Sequence, residues 1–210
     1  MNDDSFMPRT RTDDKRQRIL DAAIRVFARK GYFASRVSDV AKAAGIADGT
    51  IYLYFRNKDD VLVSLFDEIM SEHVQAGRRE VANIQGAPQK LLAIAQHHLR
   101  LLGGNRELAV VFQVELRQSA KFMARFAATW LKDYFDLLKG VIEAGQREGT
   151  IRKELRRNLA SHAFFGVLDE MVTTWVLSPQ EYDLAQLAGS AVDLFLYGAA
   201  APAKAARGAT

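Results

Sequence analysis

Apolar residues recur along this chain with the period of an α-helix. Ile19, Leu20, Ala23, Ile24, Phe27 and Ala28 share one helix face, and Gly31 predicts where that helix ends. Val37, Val40, Ala41 and Ala44 mark a short second helix over 37–44, stopped by Gly45, which has no Cβ to oppose the left-handed backbone of a tight turn. Asp48 is placed to cap a third helix over 48–55. Beyond Arg56-Asn57-Lys58, the stripe Val61, Leu62, Leu65, Phe66, Ile69 and Met70 predicts a longer helix, with Asp59 and Asp60 near its positive end. Further helices are predicted at about 88–102, 106–118, 120–147, 157–177 and 181–197, divided by Gly86-Ala87-Pro88, Gly103-Gly104, Gly149 and Ser178-Pro179. No segment alternates convincingly in the manner of a strand, so the fold class is all-α.

The first three helices have the lengths and spacing of a helix-turn-helix head. In that arrangement the third helix is held at a fixed angle by an apolar underside, here Ile51 and Phe55, while its other face enters the DNA major groove. Thr50, Leu53 and Tyr54 fall at i, i+3 and i+4 and share the outward face. The predicted organisation is a disordered tail at 1–12, a helix-turn-helix DNA-binding domain at 13–58, an effector-binding and dimerisation domain at 59–197, and a second disordered tail at 198–210. That last stretch is mostly Ala with Gly, Pro, Lys and Arg, without the large apolar groups that offset ordering entropy.

Charge sharpens this division. Residues 1–58 hold 12 Lys and Arg against 7 Asp and Glu, whereas 59–210 hold 17 against 18, so the net charge of +4 comes entirely from the first quarter of the chain. A cationic head on a neutral body suits phosphate neutralisation by the head. With 210 residues, 49% of them hydrophobic, there is material for a sizeable core. The absence of cysteine excludes disulfides and thiolate chemistry, residues 1–11 contain no apolar run of a signal peptide, and charges interrupt every long apolar segment. The expected location is therefore the cytoplasm, without a membrane partner.

Catalysis finds no candidate constellation. None of His73, His97, His98 and His162 follows a Glu three residues earlier, so the carboxylate-bridged metal bundle has no ligand set, and there is no H-E-x-x-H. The adjacent His97-His98 pair points to two helix faces and is expected at a surface or interface. Phosphate-loop and nucleophile-elbow strings are also missing. The chain is expected to be neither an enzyme nor a holder of a cofactor or metal.

In the third helix, Gly49 permits close backbone approach, Thr50 offers a hydroxyl and a methyl, and Tyr52 and Tyr54 combine an apolar ring with a polar tip. Lys58, at the start of the next helix, is expected to add a phosphate contact where the helix dipole already favours anions. The string Gly45-Ile46-Ala47-Asp48-Gly49-Thr50-Ile51-Tyr52-Leu53-Tyr54-Phe55-Arg56-Asn57-Lys58-Asp59, after Ser38-Asp39-Val40-Ala41, resembles the DNA-binding head of the TetR family of bacterial transcriptional repressors, over residues 15–66. The resemblance implies an all-helical homodimer on a roughly palindromic double-stranded operator, released when a small effector enters the larger domain. It implies that Gly49, Thr50, Tyr52 and Leu53 face bases, and that Ser38, Tyr54 and Lys58 touch the DNA backbone. Arg36 departs from the Thr that many relatives use to cap the second helix, which leaves that cap open and offers a further phosphate contact.

The second half resembles a narrower group. Val114-Glu115-Leu116-Arg117-Gln118-Ser119, the run from Gly166 to Leu177 and Tyr182-Asp183-Leu184 are similar to the FadR-type branch, which represses fatty-acid degradation genes and is relieved by long-chain acyl-coenzyme A. An acyl tunnel needs apolar walls, and Phe112, Phe122, Phe126, Trp130, Phe165, Leu168 and Trp175 supply them. Each buried methylene adds roughly 0.8 kcal/mol. The phosphates need cations, for which Arg100, Arg106, Lys121 and Arg125 are the candidates. Helices 157–177 and 181–197 carry apolar residues on more than one face and, as in the family, are expected to form the dimer interface. Two alternatives stay open: a repressor answering another hydrophobic small molecule, and a helical lipid-binding protein without an operator.

Overall fold

The computed structural model of the protein describes residues 11–197, and every regular element among them is helical. Its elements are α1 (Arg11–Lys30), α2 (Val37–Ala44), α3 (Asp48–Ile51), α4 (Lys58–Ala82), α5 (Ala87–Gly103), α6 (Arg106–Val110), α7 (Ala120–Phe126), α8 (Lys132–Glu148), α9 (Arg157–Leu177) and α10 (Ala188–Tyr197). Among these residues no helix is long and apolar enough to cross a membrane. The tail expected at 198–210 and residues 1–10 of the other tail lie outside the described residues, whereas 11 and 12 belong to α1.

Several elements differ from the periodicity, each for a local reason. The helix expected over 106–118 is three pieces: α6, a π turn at Val111–Glu115 and a 3-10 turn at Leu116–Gln118. The one expected over 120–147 is interrupted by a second π turn, Ala127–Leu131. A π turn adds about one residue to a single turn, and in an apolar-rich stretch such as Leu108–Phe112 hydrophobic spacing alone does not reveal so small a shift. The segment expected as a helix from 181 begins only at Leu184, with a 3-10 turn capped by Asp183, whose carboxylate accepts the Ala185 N–H at 3.0 Å. In the third helix the cap position is Ala47 and not Asp48, and α-helical geometry ends at Ile51. The chain then tightens, with Leu53 N–H donating to Thr50 C=O and Tyr54 N–H to Ile51 C=O.

The cap of α2 also forms without a threonine. Arg36 has no acceptor on its side chain, but Asp39 reaches back to accept the Arg36 N–H at 2.7 Å and the Lys30 ammonium at 2.8 Å. That is the reverse half of a capping box, supplied from the third helical position. Lys30, and then the Arg36 N–H, hold the Asp39 carboxyl below the usual carboxylate range. At the other end Gly45 takes φ +66°, and the Arg18 guanidinium donates to the last carbonyl, Ala44, at 2.8 Å.

The chain divides into two compact units, one running to Ala76 and including Leu102–Tyr134, the other made of Gly77–Leu101 with the chain from Phe135 onward. Within the first unit the helix-turn-helix segment packs with α6 and the π turn that follows it. In the first unit Ile19, Leu20, Phe27, Val40, Ala41, Ile51, Phe55, Leu62 and Leu65 are buried together. Ile51 and Phe55 are the underside that the third helix needs, and each such side chain contributes about 1.5–3 kcal/mol of burial.

In the second unit Leu91, Leu99, Leu138, Ile142, Phe164, Leu168, Val172 and Trp175 form the core. Gly145 lets α8 approach closely, since a Cβ there would stand 2.7 Å from Ala87 Cβ and from Ile151 Cδ1.

Gly45→Ala is expected to destabilise the protein by about 1–2 kcal/mol, the cost of a left-handed backbone for an L-residue. The space at Gly45 is adequate, with Arg18 3.5 Å from the site of the new methyl, so a urea melt isolates the backbone cost.

Candidate nucleic-acid interface and ligand-binding residues

The head presents its expected face outward. Leu53 is 80% exposed and Tyr52 58%, while Arg36, Ser38 and Gly49 are exposed and Thr50 and Tyr54 are half-buried. A Cβ at Gly49 would meet nothing within 4 Å, so this stretch of backbone is open to close approach. Exposed Leu and Tyr beside a buried Ile51 and Phe55 form the two-faced element that groove reading requires.

Lys58, expected to meet a phosphate, is bonded within the protein. Its ammonium donates to the carbonyls of Tyr32 at 2.7 Å and Ser35 at 2.8 Å, with Phe33 at 3.4 Å, and lies 4.4 Å from the centre of the Tyr32 ring. An ammonium has three protons, and these three carbonyls use them. Burial pulls its pKa down, while Asp59 and Asp39 act the other way. The residue thus ties the loop between α1 and α2 to the start of α4. The pattern of the sequence places Lys58 at a helix start, but cannot show that loop carbonyls converge there.

Tyr32 is the centre of this region and escaped the sequence reading. It is 2% exposed; its hydroxyl donates to Asp59, its carbonyl accepts from Lys58 and from Ser35 Oγ, and its N–H donates to Glu115 Oε2 at 2.6 Å. Burial, then the bond to Asp59, pushes the phenol up, and the same bond holds Asp59 below the usual carboxylate range. Glu115 is itself buried. The available signal was a carboxylate inside the apolar run Val111 to Leu116.

The expected effector residues fall in both units. In the first, Phe122, Arg125, Phe126 and Trp130 line one recess with Val63, Phe66, Asp67 and Thr129, about 240 Å³ counted to its open mouth. Phe112 belongs to the same aromatic cluster, 4.7 Å edge-to-face from Phe66 and 6.1 Å from Phe126. The cations here already have carboxylate partners: Lys121 on Asp59 at 3.1 Å and Arg125 on Asp67 at 3.0 Å, where Trp130 Nε1 also donates at 2.9 Å. Arg106 opens α6 and is half-buried.

In the second unit Arg100 pairs with Glu80 at 3.2 Å, Phe165 packs edge-to-face on Phe135 at 5.3 Å, and Leu168 and Trp175 are core residues. Trp175 donates from its indole to the Tyr182 carbonyl at 3.1 Å. Of the histidine pair expected at a surface, His97 bridges to Glu80 at 3.3 Å, but His98 is buried against Phe165.

Two measurements follow from these placements. Tyr52→Ala and Leu53→Ala should leave thermal stability within about 0.5 kcal/mol while weakening operator binding by about 1–3 kcal/mol. Lys58→Met should lower stability yet leave the slope of log affinity against log salt unchanged. A slope reduced by about 1 would instead assign the ammonium to a phosphate.

Burial holds the His98 pKa down at about 4. In the unfolded chain it protonates below about 6.5, so the stability tied to the neutral ring is full above that pH and is lost as pH falls toward 4, by up to about 3 kcal/mol. His98→Leu is expected to flatten this loss in urea melts at pH 7 and 4.5. An unchanged pH dependence in the variant would remove His98 as its source.

Comparison with known proteins agrees with this geometry. Residues 19–65 match the family model of bacterial regulatory proteins, tetR family, and residues 66–198 match that of the YsiA-like protein C-terminal region. The chain is 42% identical over 184 residues to the fatty acid metabolism regulator protein of Bacillus subtilis, covering 88% of this chain and 95% of that one. It is 26% identical to the regulator TtgR of Pseudomonas putida, covering 81% and 84%. Among solved structures, FadR of B. subtilis in complex with stearoyl-CoA and FadR of Bacillus halodurans each superpose with a TM-score of 0.82 at 42% identity, covering 88% of this chain and 99% of the other. An all-α chain with an outward-facing third helix, matched along nearly its whole described length, belongs to the tetR family of bacterial regulatory proteins.

Proposed function

We propose that the protein is a homodimeric repressor of fatty-acid degradation genes that grips a palindromic operator and lets go when it binds a long-chain acyl-coenzyme A. The observation that carries this reading is an aromatic recess flanked by Lys121 and Arg125, in a chain 42% identical to a regulator crystallised with stearoyl-CoA. Phe112, Phe122, Phe126 and Trp130 receive acyl methylenes, each contributing roughly 0.8 kcal/mol. The phosphates are met by Lys121 and Arg125, with Arg106 on the neighbouring helix. Because the first two cations rest on Asp59 and Asp67, a phosphate must displace a carboxylate from each. Several phosphates on one ligand suit that exchange better than a single charge. Arg100, Phe165, Leu168 and Trp175 extend the proposed ligand-binding set.

On the DNA side Gly49, Thr50, Tyr52 and Leu53 face bases, while Arg36, Ser38 and Tyr54 meet the backbone. Dimerisation uses α9 and α10. Their buried side carries Phe164, Leu168 and Val172, and their other side exposes Leu159, Leu177, Leu194 and Tyr197. Ala163, Gly166, Val167 and Met171 line a groove on that outer face. Apolar residues on more than one helix face are satisfied by a second copy. Two heads then reach successive major grooves about 34 Å apart, and the complex works in the cytoplasm with its DNA. Shifting a DNA-competent population from 99:1 to 1:99 takes about 5.5 kcal/mol of differential binding.

A panel of acyl-coenzyme A chain lengths in an operator-release assay tests the reading. Release is expected to strengthen with chain length, and free coenzyme A should be inert. If no acyl-coenzyme A releases DNA while an unrelated hydrophobic compound does, the effector assignment falls and the regulator assignment stays. If no operator is found at all, the lipid-binding alternative takes over.

A further inference from the structure

We infer that Glu115 is the positioning residue through which the aromatic cluster controls the DNA-reading head. The inference rests on the reading above for its ligand, and on geometry for everything else. Phe112 and Glu115 share one π turn, Val111–Glu115. At one end Phe112 packs on Phe66 and Phe126. At the other, Glu115 Oε2 accepts the Tyr32 N–H at 2.6 Å. Gly31, just before this N–H, takes φ +81°, and a Cβ there would meet that oxygen at an ordinary 3.6 Å, so the glycine is needed for the turn and not for the approach.

Tyr32 passes the constraint on. Its carbonyl is held by Lys58 and Ser35, its hydroxyl by Asp59, and its ring packs edge-to-face on Phe27 at 5.2 Å and Phe122 at 5.3 Å. Lys58 also holds the carbonyl of Ser35, the residue before the cap of α2. A shift at Glu115 therefore moves the loop that sets α2 and α3 against the start of α4.

The contact behaves as a latch for two reasons. A buried carboxylate that loses its N–H donor must either regain it or reach water, so intermediate positions are disfavoured. The recess is also nearly filled by its own side chains, with about 10 Å³ of room against the roughly 300–1,000 Å³ of ligand sites, so a long chain entering beside it has to turn rings aside. Phe112 is one of these rings, and its backbone is part of the π turn that carries Glu115, so a displacement larger than its side-chain torsions absorb reaches that turn. The latched arrangement, with the rings packed together, is the one that grips DNA. The unlatched arrangement belongs to the occupied pocket.

The test uses the full-length protein with Glu115→Ala and Glu115→Gln, the latter keeping an oxygen for the Tyr32 N–H. Without ligand, Glu115→Ala is expected to bind operator about tenfold more weakly with an unchanged salt slope, and Glu115→Gln to stay near the wild type. With stearoyl-coenzyme A, Glu115→Ala should still take up the ligand, measured without DNA. Its ratio of operator Kd with and without ligand should shrink about tenfold. A residue that only supported the fold would leave that ratio intact.

Equal operator binding by Glu115→Ala and the wild type, or Glu115→Gln failing as Glu115→Ala does, would overturn the assignment. If Glu115→Ala does not fold, hydrogen exchange at the Tyr32 amide of the wild type decides. Faster exchange on adding stearoyl-coenzyme A supports the latch, and unchanged exchange in a ligand-saturated protein overturns it. Should stearoyl-coenzyme A neither bind nor release wild-type DNA, the effector identity fails, while the ligand-free comparison still judges Glu115.

Discussion

Three carbonyl oxygens around one ammonium hold the working end of this protein in shape. Lys58 gathers Tyr32, Phe33 and Ser35 from the turn between α1 and α2, and so fixes the start of α4 to the element that leads into α2 and α3. Removing an ammonium from water is costly, and it is tolerated here because the carbonyls take its protons, the Tyr32 ring offers its face at 4.4 Å, and Asp59 and Asp39 supply negative charge. A flexible lysine is thereby turned into a fixed strut. The groove-reading surface inherits its orientation from that strut and keeps Leu53 and Tyr52 in water, with Ile51 and Phe55 as its foundation.

Around this strut the carboxylates have distinct tasks. Asp39 completes the cap of α2 that Arg36 cannot make, Asp59 receives the Tyr32 hydroxyl together with Lys121, and Asp67 receives Arg125 together with the Trp130 indole. Exposed pairs of this kind contribute little to stability, a median of about 0–1 kcal/mol. On the function proposed above, their value lies in exchangeability, because a multiply charged anion would compete with Asp59 and Asp67 for Lys121 and Arg125. Glu115 differs from them in being buried, and it bonds a backbone N–H where the others meet side chains. A single desolvated contact of this sort is either made or broken, which suits a switch better than a surface pair does.

What was legible in the sequence is what depends on near neighbours. Helical period, the glycine stops at Gly31 and Gly45, and the two-faced string from Gly45 to Phe55 gave an all-α chain with a helix-turn-helix head. The aromatics of α7 and the turn after it were legible as apolar walls by residue type, but helical spacing fits core packing equally well. Local signals misled where residue type and backbone part company: Asp48 suits a cap but the helix begins one position earlier, after Ala47, which has no side-chain acceptor, and a single π turn shifts the helical phase too little to stand out in an apolar-rich stretch.

Only the tertiary structure decided which charges meet. Tyr32 and Glu115 are 83 positions apart, and Lys121 and Asp59 are 62 apart. No periodicity relates such residues, and a lysine at a helix start reads the same whether its ammonium faces solvent or a nest of carbonyls. The chain by itself determined the parts, because helix formation and its endings follow from backbone sterics and local hydrophobic pattern. The fold decided their connections, because desolvation and hydrogen-bond partnership exist only once distant segments have packed.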